Sequence, residues 1–176
     1  MTIESELKRP DFSTELSQKE LHEWLSYDTI NGNFYWIKSP CNGIKINDIA
    51  GHIDESKKYV IISLRGRHYY GHVLAWFYVY GVWTKIDHKN RIGVNNWISN
   101  LRPATAQQNN RNQSIRIDNM LGVKGVTRSG NKYVARIHVD GRSIYLGTFN
   151  TIEEASCARS KAEIKHFGEF AATREA

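Results

Sequence analysis

The stretch Lys85-Ile86-Asp87-His88-Lys89-Asn90 sets a carboxylate beside an imidazole in unusual surroundings. Asp87 is the only acidic residue between Ser56 and Ile117, a window that also holds ten lysines and arginines. Simple charge balance would scatter several acids through such a field. One retained carboxylate next to a histidine therefore points to chemistry, and phosphodiester hydrolysis suits the set. Phosphate esters hydrolyse very slowly in water, so an enzyme must remove a large part of the barrier. A positioned general base supplies ~10²–10⁴-fold, too little alone, and a divalent cation on the phosphate oxygens adds several kcal/mol of charge stabilisation. Magnesium takes oxygen ligands, usually one or two carboxylates with water and substrate phosphate. Asp87 can supply the carboxylate and Asn109 a side-chain carbonyl oxygen. His88, neutral near pH 7, can deprotonate the attacking water, and Asn100 can fix the loop or the imidazole tautomer. A second carboxylate nearby would repel the substrate.

These four side chains converge only if the chain between them folds back on itself. WTKID reads as a strand, followed by a loop rich in Asn and Gly and a second short strand, ISNLR. After Pro103 the pair Thr105 and Gln108 marks a helix start. The order is strand, loop, strand, helix, with Asp87 and His88 at a strand end and Asn109 in the first turns of the helix. Upstream, STELSQKELHEWL holds a short helix with Leu16, Leu21, Trp24 and Leu25 at roughly helical spacing, and NGNFYWI runs from a turn into a strand. KKYVIISLRGRHYYGH predicts a hairpin around Arg65-Gly66, and HVLAWFYVYG a short apolar helix stopped by Gly81.

The chain has 176 residues, 40% of them hydrophobic, which is enough for a packed core. No apolar run reaches membrane-spanning length and the polar start MTIESELKRP lacks a signal-peptide pattern, so a soluble, cytoplasmic protein is expected. Cys41 and Cys157 are isolated and form no CxxC pair, which argues against zinc and against a disulfide framework. Net charge is +6 and unevenly spread: −1 over residues 1–70, +4 over 71–115 and +3 over 116–176. The concentrated positive segment points to a polyanion, nucleic acid first, with an acidic protein partner or a membrane surface as the other readings. All five tryptophans precede residue 98, and the polar run Gln107 to Met120 is the natural boundary between two units. The expected organisation is a flexible tail over 1–14, a nuclease domain over 15–115 and a DNA-binding domain over 116–176. Within the nuclease domain, 15–70 is the N-terminal helix and hairpin region and 71–115 the core.

The C-terminal segment predicts three strands and a helix. Asp140-Gly141 between two alternating runs is a hairpin signal, and Thr151 with Glu154 forms a capping box before a helix that Gly168 ends. Ala155, Ala158 and Ala162 give that helix a thin stripe suited to lying close on a sheet. Alternation along KYVARIHV puts Lys132, Val134, Arg136 and His138 on one face, and Tyr133, Ala135 and Ile137 on the other, toward the helix. Tyr145 and Arg128 are expected to join the polar face, and a β-structure of this kind fits the major groove.

IDHKN…NNWISNLRPATAQQNNRN, preceded by YYGHVLAWFYVYG, resembles the HNH endonuclease family, in the phage and mobile-element branch that includes homing endonucleases. The resemblance covers about residues 20–112 and implies a ββα-metal core in which Asp87 and Asn109 bind the metal, His88 is the general base and Asn100 the central structural asparagine. Asn95-Asn96-Trp97 stands where the family commonly has Asp-Asn-Arg, and Val73 where it commonly has Arg. His72 matches a family histidine, for which packing or a phosphate contact is expected. GVKGVTRSGNKYVARI…IYLGTFNTIEEASCARSKAEIKHFGEFA resembles the plant ethylene-response-factor (Apetala-type) DNA-binding domain over about Gly122 to Ala171. That likeness puts Lys124, Lys132, Arg136, His138 and Tyr145 at DNA-contact positions. Thr127 and Arg136 depart from the family pattern, so the plant target sequence is not carried over.

The expected molecule is an α+β protein: a central ββα-metal nuclease core with an N-terminal β-rich segment, plus a C-terminal three-stranded antiparallel sheet packed on one helix. The expected function is site-specific DNA endonuclease of homing or phage type, nicking as a monomer, with a dimer permitting a double-strand cut. It would use Mg²⁺, with Mn²⁺ as a substitute, and no zinc or nucleotide cofactor. Products would carry 5′-phosphate and 3′-hydroxyl ends. Arg91, Arg102, Arg111 and Arg128 join the expected DNA contacts. Deleting residues 120–176 is expected to leave slow, unselective nicking. The competing reading is a non-catalytic, sequence-specific DNA-binding regulator with a degenerate core.

Overall fold

In the computed structural model, residues 16–112, 115 and 119–171 are described, and the expected tail over 1–14 lies outside them. Ser17 opens the first helix, α1 (Gln18–Trp24), its hydroxyl accepting the Glu20 N–H at 3.2 Å, the usual N-cap satisfaction of an orphan donor. The chain then turns extended. β1 (Leu25–Tyr27) pairs antiparallel with β2 (Phe34–Trp36), and Asp28 Oδ1 holds the turn by accepting from the Ile30 and Asn31 N–H groups. A second antiparallel sheet follows, in the order β3 (His52–Asp54), β4 (Tyr59–Leu64) and β5 (Arg67–Tyr70). Its β4–β5 turn is Arg65-Gly66, as the hairpin pattern predicts.

β5 runs directly into α2 (Gly71–Tyr80), which Gly81 ends in the left-handed region at φ 68°, donating its N–H to the Phe77 carbonyl at 2.8 Å. A side chain there would strain the backbone, which is why a glycine stops this helix. Leu21, Leu25, Phe34, Trp36, Ile62, Leu74 and Phe77 are buried together, so the helices and both sheets share one core. Burial of such side chains at about 25 cal/mol per Å² is what holds short elements in place. On this support sits a two-stranded hairpin, β6 (Ile86–His88) with β7 (Leu101–Pro103). The expected strand ISNLR is partly a 3₁₀ turn, Ile98–Asn100, and only Leu101 onward pairs. Asn100 still accepts the Lys89 N–H across the hairpin at 2.8 Å, while its side chain bonds the loop. The helix α3 (Ala106–Asn112) then follows.

The chain forms two compact units, one through Ala106 and one from Gln107. The break falls earlier than the expected one after residue 115. The reason is local bonding: Gln107 Nε2 and Arg111 Nη2 donate to Asp140 Oδ1 at 3.2 and 2.9 Å. α3 beyond Ala106 is thereby packed with the C-terminal elements. In that unit β8 (Val126–Ser129), β9 (Lys132–Val139) and β10 (Arg142–Phe149) form an antiparallel sheet in the order β10-β9-β8. The helix α4 (Ile152–Phe167) carries the predicted capping box between Thr151 and Glu154. Its Ala155 and Ala162 are buried against Val126, Ala135 and Ile137. The observed class is α+β, built of small antiparallel sheets and helices. Among the described residues no helix is long and apolar enough to cross a membrane.

Candidate active site

Successive residues of a strand point to opposite faces. On β6, Ile86 and His88 face the buried side and Asp87 the opposite, slightly more open one. Asp87 lies opposite Arg102 in the hairpin register, and directly opposed residues share a face. The Arg102 Nε and Nη2 both donate to Asp87 Oδ2, at 3.0 and 2.8 Å. Arg102 is only 7% exposed. This corrects the expectation of a DNA contact at Arg102: its charge is committed to Asp87. Removing one member of a buried pair costs about 3–5 kcal/mol, so the pair fixes where the carboxylate sits.

Asn100 anchors the β6–β7 loop. Its Oδ1 accepts the Asn90 N–H at 3.0 Å, and its Nδ2 donates to Asn90 Oδ1 at 3.0 Å and to the Asn95 carbonyl at 2.7 Å. Of the two expected roles for Asn100, the structure shows the loop one. The imidazole is held by Asn96, which the sequence reading missed. His88 Nε2 lies 3.0 Å from Asn96 Oδ1. An amide oxygen can only accept, so the contact puts the proton on Nε2 and leaves Nδ1 with the lone pair. Asn96 is 2% exposed and its carbonyl accepts the Tyr27 hydroxyl at 2.6 Å. Burial pushes the Tyr27 phenol up, which keeps it a donor. A signal was present: Asn96 is the middle of the triplet in which its two neighbours depart from the HNH pattern and it does not.

His88 is 5% exposed. Burial pushes its pKa below the ordinary histidine value of 6.5, against the opposing pull of the Asn96 hydrogen bond and the Asp87 charge. The ring is therefore neutral at physiological pH, the form that can take a proton. His72, buried in the first turn of α2, packs edge-on against it at 4.8 Å between ring centroids.

A hard divalent cation needs oxygen donors. Asp87 offers a carboxylate, which has about four lone-pair positions and can serve more than one partner. Asn109, on α3 in the second unit, has a buried Oδ1 with no hydrogen bond among the described residues. An unsatisfied buried carbonyl costs roughly 1–3 kcal/mol, a penalty that a bound cation would relieve. Each is an oxygen donor of the kind magnesium takes. Among the described residues no group of three His, Cys, Asp or Glu side chains gathers to hold a metal.

The expected DNA contacts divide sharply. Arg111 is tied inside the second unit, with its guanidinium 4.6 Å from the Phe167 ring centroid and bonded to Asp140. Lys124 donates to the Arg111 carbonyl at 3.0 Å, capping the end of α3. Arg128 pairs opposite Tyr133, which packs toward the helix, so the register puts Arg128 on the wrong face for the polar group. Its Nε turns back to the Gly130 carbonyl at 3.1 Å. Lys132, Arg136 and His138 are exposed together on β9, and Tyr145, 59% exposed, sits opposite Arg136. Arg91 lies in the β6–β7 loop at φ 63°, its N–H on the His88 carbonyl at 3.0 Å.

Residues 69–111 match the family model of the HNH endonuclease. The matched window opens in β5 and ends within α3, and it contains Asp87, His88, Asn96, Asn100 and Asn109. It supports a DNA nuclease, and nucleases of this family generally use a divalent metal. The C-terminal sheet and helix lie outside it. No curated protein matches the chain.

Proposed function

We propose that the chain is a site-specific DNA endonuclease of homing or phage type, nicking one strand of duplex DNA per binding event. The observation that carries this is His88: a dry, neutral imidazole with one tautomer fixed by Asn96, on the same strand as a carboxylate pinned by Arg102. In the proposed reaction His88 Nδ1 takes a proton from water as its oxygen attacks phosphorus. The bond from phosphorus to the 3′ oxygen breaks, and that oxygen takes a proton from solvent, leaving 5′-phosphate and 3′-hydroxyl ends. Mg²⁺, with Mn²⁺ as a substitute, would be held by Asp87 and Asn109 and supply charge stabilisation at the phosphate worth several kcal/mol. Asn100 keeps the loop closed around the base. On the C-terminal sheet the exposed set Lys132, Arg136, His138 and Tyr145 is the proposed contact surface, a β-structure narrow enough for the roughly 12 Å major groove.

Supercoiled plasmid incubated with Mg²⁺ should relax, and chelator should prevent it. His88→Ala should lose about 10²-fold or more of this activity while gel-shift affinity stays within a few-fold. DNA that is retarded but intact with every metal would instead identify a regulator with a degenerate core.

A further inference from the structure

The His88 ring touches one residue that lies outside the matched window and that nothing above has given a role. Tyr59, the first residue of β4, stacks on it with 5.9 Å between centroids and 30° between planes. The same phenol packs on His72 at 5.2 Å and meets Tyr70 edge-on at 5.6 Å. The sheet register explains the last contact: Tyr70 pairs with Ile61, which shares a face with Tyr59, so the two rings are diagonal neighbours. From the other side the β6–β7 loop presses in at Gly93. A Cβ there would meet the Tyr59 ring at 2.6 Å and also collide with the Lys58 carbonyl. Only glycine lets the loop close this tightly. The phenol is thus wedged between His72, His88, Tyr70 and the loop that carries Asn96.

A hydrogen bond to Nε2 fixes one point of an imidazole, and the plane of the ring depends on what packs against it. Asn96 supplies that bond and His72 supports one edge of the ring. A flat surface against the imidazole face removes the remaining rotation. We infer that Tyr59 is a positioning residue for the catalytic histidine, fixing the plane of the His88 ring through its own ring and not through its hydroxyl. This rests on the reading of His88 as the base.

The test uses the full chain, supercoiled plasmid and Mg²⁺. Tyr59→Phe keeps the ring and should cut within about threefold of wild type. Tyr59→Leu should lower kcat roughly 10–100-fold with KM within about threefold, the scale on which misorientation of a reacting group is felt. In that variant the His88 ring signals should show motional averaging of the ring plane, while Asn96 still holds the Nε2–H tautomer. If Tyr59→Leu cuts like wild type while His88→Ala is inactive, the inference fails and the base reading stands. If His88→Ala cuts like wild type, both fail. A Tyr59→Phe loss as large as that of Tyr59→Leu would assign the effect to the hydroxyl and overturn the inference. Should Tyr59→Leu not fold, wild type decides: nuclear Overhauser contacts between the Tyr59 and His88 ring protons are required, and their absence overturns it.

Discussion

At the residue scale the site is ordered by pairs in which one side chain restrains another. Arg102 holds Asp87, and Asn96 holds His88. The second pair has a pH signature. Burial lowers the His88 pKa below 6.5, so as pH falls the unfolded chain binds this proton first. Stability then drops with pH wherever the unfolded state carries more protons. The contribution is full above 6.5 and is lost progressively below it. Measured in chelator, wild type should therefore lose more stability between about pH 7 and 5 than His88→Gln does. Equal slopes would mean that His88 takes up its proton as easily in the folded protein as in the unfolded one.

The element scale is where a loop of little regular structure becomes a fixed support. Asn100 makes three hydrogen bonds within the β6–β7 loop, each worth about 1 kcal/mol net. Asn100→Ala should destabilise the protein by about 2–3 kcal/mol in denaturant melts, with the C-terminal sheet unaffected. A loss below about 1 kcal/mol would mean that other contacts hold the loop. Elements with a periodic or turn signal were legible in the sequence: the Arg65-Gly66 and Asp140-Gly141 hairpins, the α2 stop at Gly81 and the Thr151–Glu154 cap. Asp87 and His88 stood out by charge isolation and adjacency. Asn96 was marked only by the triplet it sits in, and Tyr59 by nothing, because its ring reaches His88 from a segment distant in the chain. Arg128 was expected on the polar face. The register through the Gly130-Asn131 turn pairs Ser129 with Lys132 and sends Arg128 to the other side.

For the whole molecule, the position of α3 matters most. The helix is continuous in chain order with the nuclease hairpin, yet Gln107, Arg111 and the end of the helix are bonded to Asp140, Phe167 and Lys124. Deleting residues 120–176 removes Asp140, Phe167 and Lys124 from the helix that carries Asn109. A seven-residue helix is too short to be stable in water by itself. The expectation of slow residual nicking by the truncated chain is therefore reversed: nicking should be abolished. Plasmid relaxation by the truncated chain at even about 1% of the full-length rate would show that α3 stands without those anchors.

The shared anchoring also limits how the C-terminal unit can be exchanged. A chimera that replaces everything after Met120 with an unrelated DNA-recognition module would inherit the orphaned helix without Asp140 or Phe167 to receive Arg111. Such a hybrid should find its new address and leave the strand intact. Retargeting would succeed only when the hairpin turn and helix end that hold Arg111 are transplanted along with the new specificity.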